Sequence, residues 1–278
     1  MKITARSLRF DVVAGGPADG DPVLLLHGFP QHSGEWAAVT PALHAAGLRT
    51  YALDQRGVSP GARPEGAEAY RITECALDAV AVLDELGLDK PASVHLVGHD
   101  WGAICAWQVA IRHAERVRTL TAISVPHPHA MAHAYATDPD QRERSAYIKV
   151  FREVGRAEEL LLEDDARRLR RIFDGSGLDA AGVDAYVRPL LEPGALTGAL
   201  NWYRAMSPLD LVGLGPARVP TTYVWSDGDL AIGATAARTC AEHVDADYRF
   251  VPLAGISHWI PDQAPSEVAA AILARCLG

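Results

Sequence analysis

The chain has 278 residues, 49% apolar and 22% charged, enough apolar content to bury a sizeable core and to exclude disorder for most of its length. Lys plus Arg number 26 against 35 Asp plus Glu, a formal charge of −9, which argues against a nucleic-acid partner and leaves a small neutral substrate open. Cys75, Cys105, Cys240 and Cys276 form no close pair, so there is no CxxC redox pair or zinc knuckle, and reduced thiols in a cytoplasmic protein are expected. Met1–Val13 lacks the apolar stretch of a signal peptide, and no run approaches the roughly 18 apolar residues of a membrane span.

The first half alternates short β-rich runs with helical patterns. Ser7–Val13 reads as an edge strand, and the apolar run Val23–Leu26 as a strand buried on both faces. Glu35–Ala46 has helical spacing and stops at Gly47; Arg49–Leu53 is a strand, followed by the turn Asp54-Gln55-Arg56-Gly57. The Gly- and Pro-rich segment Gly57–Gly66 reads as a surface connection. A helix over Ile72–Leu86, a strand over Ser93–Val97, a helix over Ala103–Arg112 and a strand over Thr119–Val125 follow. This order predicts an α/β fold with a mostly parallel sheet and helices on both faces. From Pro126 to Met206 there is no convincing strand; Ser145–Gly155 and Glu158–Phe173 are helical in pattern. Thr221–Trp225, a helix over Gly233–His243, the strand Tyr248–Leu253 and a helix over Pro265–Leu277 close the chain. The economical reading is a core of residues 1–128 and 207–278, interrupted after its sixth strand by an all-helical insertion, 129–206.

The chemistry centres on Val97-Gly98-His99-Asp100-Trp101-Gly102, where a strand ends and a helix begins. Small residues two before and two after Asp100 permit a sharp turn that lifts its side chain above the sheet. The helix N-terminus there favours an anion. A carboxylate is already ionised at neutral pH and suits attack on an electrophilic sp³ carbon, giving an ester that water must hydrolyse. The competing reading is that Asp100 merely caps the helix. A base for the second step is available in Ile256-Ser257-His258-Trp259, after the last strand, whereas His95 and His99 are better explained by packing or turn geometry. His127, His129 and His133 lack the carboxylate that would complete a zinc motif, so no metal is expected. Trp225-Ser226-Asp227-Gly228-Asp229 offers two acids to orient the base; Ser124-Val125-Pro126-His127 offers none. In His27-Gly28-Phe29-Pro30 the Phe29 N–H can join that of Trp101 in an oxyanion hole.

Together these segments resemble the epoxide hydrolases of the α/β-hydrolase superfamily over nearly the whole chain. His27-Gly28-Phe29-Pro30, Asp54-Gln55-Arg56-Gly57, Gly98-His99-Asp100-Trp101-Gly102 and Gly255-Ile256-Ser257-His258-Trp259 fall in family order. The resemblance places the triad acid four residues after Trp225, at Asp229, although Ser226 stands where the family has Gly. It implies two tyrosines that bind the oxirane oxygen from a helical cap: Tyr203, in Asn201-Trp202-Tyr203-Arg204, and Tyr147, which opens the segment Tyr147–Glu158. His27, Pro30, Trp36, Trp202 and Trp259 are candidate pocket walls. The implied substrate is a small epoxide, with no cofactor, no nucleic acid and no membrane span, in a monomer or homodimer.

Two rivals remain at this stage. A haloalkane dehalogenase shares the Asp elbow and the following Trp, but position 29 is Phe where such enzymes commonly carry Asn to hold the halide. A non-catalytic binder of the same fold would be expected to have lost part of a machinery that is present here.

Overall fold

A computed structural model describes residues 1–91 and 94–278. Eight strands form one sheet: β1 (Lys2–Ala5), β2 (Leu8–Gly15), β3 (Asp21–Leu26), β4 (Leu48–Leu53), β5 (Val94–His99), β6 (Val117–Ile123), β7 (Thr221–Ser226) and β8 (Tyr248–Leu253), in the order β1-β2-β4-β3-β5-β6-β7-β8. The first two strands are antiparallel additions, and β3 to β8 run parallel. The β3 run works as its composition requires. Val23 and Leu25 face one apolar core, Leu24 and Leu26 the other, as a two-residue period dictates.

The helices are α1 (Thr40–Ala45), α2 (Ile72–Glu85), α3 (Trp101–Arg112), α4 (Pro128–Thr137), α5 (Pro139–Arg144), α6 (Tyr147–Phe151), α7 (Arg156–Arg171), α8 (Ala180–Leu190), α9 (Ala195–Ala205), α10 (Ala234–Thr239), α11 (Ile260–Gln263) and α12 (Pro265–Cys276). Helices α4 to α9 all fall between β6 and β7, and no described residue of that segment is in a strand. No described helix is long and apolar enough to cross a membrane.

Several expectations change. Ser7–Val13 is not the edge: β2 lies between β1 and β4. Arg6 and Ser7, at φ 50° and 64°, form the two-residue turn of a hairpin. Such turns usually announce themselves with Asn-Gly, and Arg-Ser carries no such signal. The single helix expected over Glu35–Ala46 is a 3₁₀ turn (Ser33–Trp36) and then α1, with Pro41 in the first turn of α1, because proline is tolerated there and not in a helix interior. Helix α7 is broken at Glu163–Ala166, where Asp164, Asp165 and Ala166 take left-handed conformations. Ser93, the start of one predicted strand, lies outside the described residues; β5 itself runs from Val94. The segment 57–66 is not a plain surface connection: Gly57, Ser59 and Ala62 are buried, and Gly57 lies against α9.

Candidate active site

The turn from β5 into α3 is as tight as its glycines suggest. A Cβ on Gly98 would stand 2.2 Å from the Gly102 carbonyl oxygen, and one on Gly102 would stand 2.0 Å from that of Leu26. Between them Asp100 adopts φ 52°, ψ −120°, a strained conformation for a non-glycine residue. Its carboxylate makes no capping hydrogen bond to α3, so the capping alternative does not describe it. Instead Oδ1 accepts a hydrogen bond from the Phe29 backbone N–H at 2.8 Å. Gly28 allows that approach, since a Cβ there would meet Oδ1 at 2.6 Å. Oδ2 stands 3.4 Å from His258 Nε2.

His258 comes from the loop after β8, and its Nδ1 lies 3.0 and 3.2 Å from the two oxygens of Asp229. Asp229 is 1% exposed and follows β7; its Oδ1 accepts from the Ala231 and Ile232 N–H groups at 2.8 and 3.1 Å. Asp227, by contrast, is exposed and accepts from the Gly255 N–H, a turn role. Burial disfavours a charged imidazole, but Asp229 and Asp100 outweigh it and push His258 up to about 10. Burial likewise disfavours ionised Asp100 and Asp229. The hydrogen bond and charge of His258 override it, and both carboxyls sit below the ordinary range.

An aromatic wall covers the carboxylate, which leaves Asp100 only 7% exposed. The Tyr203 ring packs edge-on against Trp101, Phe29 and Phe151 at 5.0, 5.3 and 5.0 Å, and lies 6.1 Å from the Tyr147 ring. Tyr147 is 38% exposed overall, yet desolvation at its hydroxyl and the nearby Asp100 charge raise its phenol. Burial, Tyr147 and Asp100 raise Tyr203 in the same sense. Both phenols therefore stay protonated donors.

The expected pocket walls divide. Trp259 sits between His258 and Phe173, with ring centroids 5.3 and 4.7 Å away. Pro30 is buried, next in the chain to Phe29. Trp36 does not belong with them: it packs with Val23, Leu25 and Leu43 in the core of α1 and α12, on the other side of the sheet from Phe29 and Tyr203. His27 and Trp202 are braces rather than exposed walls. His27 is fully buried; its Nε2 accepts from the Gln55 N–H at 3.1 Å, leaving Nδ1–H for the Gly28 carbonyl at 2.9 Å. Burial lowers its pKa to about 4, so it is a neutral bracket for the Gly28–Phe29 turn. The Trp202 N–H donates to the Arg56 carbonyl at 2.8 Å.

Phe151, Glu35 and Ser124 take places at the site that the sequence did not assign them, and His99 joins Glu35 there. Phe151 joins the wall. His99 Nε2 lies 2.9 Å from the His258 carbonyl oxygen, and its Nδ1 lies 3.4 Å from Glu35. Burial raises Glu35 to about 7, and Glu35 in turn raises His99 against the cost of burial. Ser124, after β6, places its hydroxyl 2.7 Å from Asp229 Oδ2 and 3.1 Å from His258 Nδ1. Nothing local in the sequence marks a serine or a glutamate for such positions. Of the histidines weighed for a metal, His127 and His129 stack 5.6 Å apart, with His243 4.9 Å from His127; His127 Nε2 lies on the Gly215 carbonyl and His129 Nε2 on that of Leu214. Cavities of about 420 and 500 Å³ open there and beside Trp225, and neither is lined by Asp100 or His258.

The profile of a family described as alpha/beta hydrolase fold matches residues 21–265. Epoxide hydrolase A of Mycobacterium tuberculosis is 33% identical, over 98% of this chain and 95% of that protein. The crystal structure of epoxide hydrolase A from Mycobacterium thermoresistibile superposes with a TM-score of 0.87 at 29% identity, covering 100% of this chain and 98% of the other. That of the Bacillus megaterium epoxide hydrolase with an inhibitor gives 0.89 at 27% identity over the whole of both chains.

Proposed function

The chain belongs to the epoxide hydrolases of the α/β-hydrolase fold, and from that membership we propose that Asp100 is its nucleophile, with His258 as base, Asp229 as orienting acid and Tyr147 and Tyr203 as the acids on the epoxide oxygen. The enzyme converts an epoxide and water to a vicinal diol. The observation that carries the assignment is the division of labour at Asp100: Oδ1 is held by the Phe29 N–H, while Oδ2 is left facing His258.

In the first step Asp100 Oδ2 attacks an oxirane carbon from the side opposite the C–O bond. That bond breaks, and the departing oxygen takes a proton from the phenols, which recover it from the His258 imidazolium. Alkylation removes the Asp100 charge, one of the two groups that hold His258 protonated, so the imidazole is left neutral when a base is needed. In the second step Nε2 takes a proton from water and hydroxide adds to Asp100 Cγ. Oδ1 then carries the oxyanion, stabilised by the N–H groups of Phe29 and Trp101. The Cγ–Oδ2 bond breaks and the second water proton leaves on the diol. His258 is again protonated and Asp100 again ionised. Residues 129–206 act as a cap over the core of 1–128 and 207–278, excluding bulk water. Trp259 and the rings around Tyr203 form the pocket wall. The unpaired cysteines fit the reducing cytoplasm.

The test is a panel of epoxides assayed for diol, with intact-mass analysis of variants. His258→Gln is expected to trap an ester adduct, and Asp100→Ala to form none. Release of halide from haloalkanes without turnover of any epoxide overturns the assignment.

A further inference from the structure

Ser124 occupies an unusual position. It is fully buried just beyond β6 and has φ 69°, a left-handed conformation that disfavours a serine. The backbone is held there from both sides: its N–H donates to the Val224 carbonyl at 2.8 Å, and the Tyr223 hydroxyl donates to its carbonyl at 2.6 Å. Strain at a pinned, buried residue implies that its side chain is wanted where it points. The hydroxyl stands 2.7 Å from Asp229 Oδ2 and 3.1 Å from His258 Nδ1.

A hydroxyl has one hydrogen. Asp229 is held ionised and can only accept, so the Ser124 hydrogen goes to Oδ2. The Ser124 oxygen can then face Nδ1 only as an acceptor, which requires a proton on Nδ1. We propose that Ser124 is a positioning residue that locks His258 in the Nδ1–H form, so that Nε2 carries the lone pair toward water once Asp100 is alkylated. This rests on the proposed roles of Asp100 and His258. The other groups facing this pair fit that role. Asp229 Oδ1 is occupied by two N–H groups, Arg144 donates to the Asp229 backbone carbonyl, His99 contacts the His258 backbone carbonyl, and Asp100 faces Nε2. Among the described residues, Ser124 is therefore the one side chain that contacts both the acid and the Nδ1 it orients. The lock matters in the hydrolytic half-reaction, which needs a base, and not in alkylation, which does not.

The test separates the two half-reactions by rapid mixing of enzyme with an epoxide and quantifying covalent ester and diol. Ser124→Gly keeps the backbone conformation and removes the hydroxyl; Ser124→Ala also denies the space to a substituting water. The expected result is alkylation within about threefold of wild type in both, with ester hydrolysis slowed about tenfold or more. Hydrolysis unchanged in both Gly and Ala, or both half-reactions falling together, overturns the proposal. Absence of any ester in the wild type would instead overturn the covalent mechanism itself.

Discussion

Gly57 and Gly198 meet backbone to backbone, with no room for a side chain on either. A Cβ on Gly57 would stand 2.6 Å from the Gly198 carbonyl oxygen, and one on Gly198 would stand 2.8 Å from that of Gly57. This contact seats α9 on the loop after β4, and the hydrogen bond from Trp202 to the Arg56 carbonyl secures it. Tyr203 is the next residue, so the same contact of two glycines seats its ring against Trp101 and Phe29.

Gly198→Ala is therefore expected to lift α9 and misplace Tyr203. Alkylation should slow by about tenfold to a hundredfold, since small misplacements of a reacting group are costly. Overpacking of this kind costs about 1–3 kcal/mol of stability. Stopped-flow alkylation and urea denaturation measure the two effects; an unchanged alkylation rate would remove the seating argument.

Tyr203→Phe and Tyr147→Phe each delete one of the two phenols proposed to donate to the departing oxygen. Loss of either should slow alkylation by about 10²-fold, and loss of both by more. Hydrolysis of an ester already formed should change little, because Asp100 Oδ1 rests on a backbone N–H and not on a phenol. Single-turnover rates for the two steps check the contrast.

Asp229→Asn and Asp227→Asn should differ sharply. On the proposed roles Asp229 orients Nδ1 of the base, and the amide would favour the wrong tautomer, slowing hydrolysis by about 10³-fold or more. Asp227 holds only a turn N–H at its exposed carboxylate, and its variant should keep near-normal turnover. Equal losses in the two variants would show that the acid has been misassigned.

Three buried histidines make stability fall toward acid pH, offset in part by buried Glu35, which takes up its proton near 7 in the folded chain. Burial lowers His27 and His95 to about 4 and His127 to about 3, while the unfolded chain titrates near 6.5. Below 6.5 the unfolded state binds protons that the folded state refuses, so stability present above that pH is lost as pH falls toward 4. The wholly buried His27 alone accounts for up to about 3 kcal/mol across that window. Urea midpoints from pH 8 to pH 4 should fall, and His95→Gln should flatten the curve.

The sequence by itself determined what depends on local chemistry and short-range pattern. The apolar run Val23–Leu26, the strand–turn–helix around Asp100 and the strand-free segment before Met206 are legible because side-chain period, glycine spacing and composition act within a few residues. It singled out Asp100, His258 and Phe29 through their local motifs, and the fold brings the three together around one carboxylate. What needed the folded chain was every relationship between segments distant in sequence. Asp227 and Asp229 both follow β7 beside a glycine; the family resemblance favours Asp229 by its spacing from Trp225, and the approach of the loop after β8 brings that acid to His258. Trp36 reads as a pocket wall until the sheet separates it from the site. Ser124 and Glu35 carry no local mark, because a hydroxyl or carboxylate becomes consequential only when burial strips away water and leaves particular partners. Those partners are chosen by packing, a property of the whole chain.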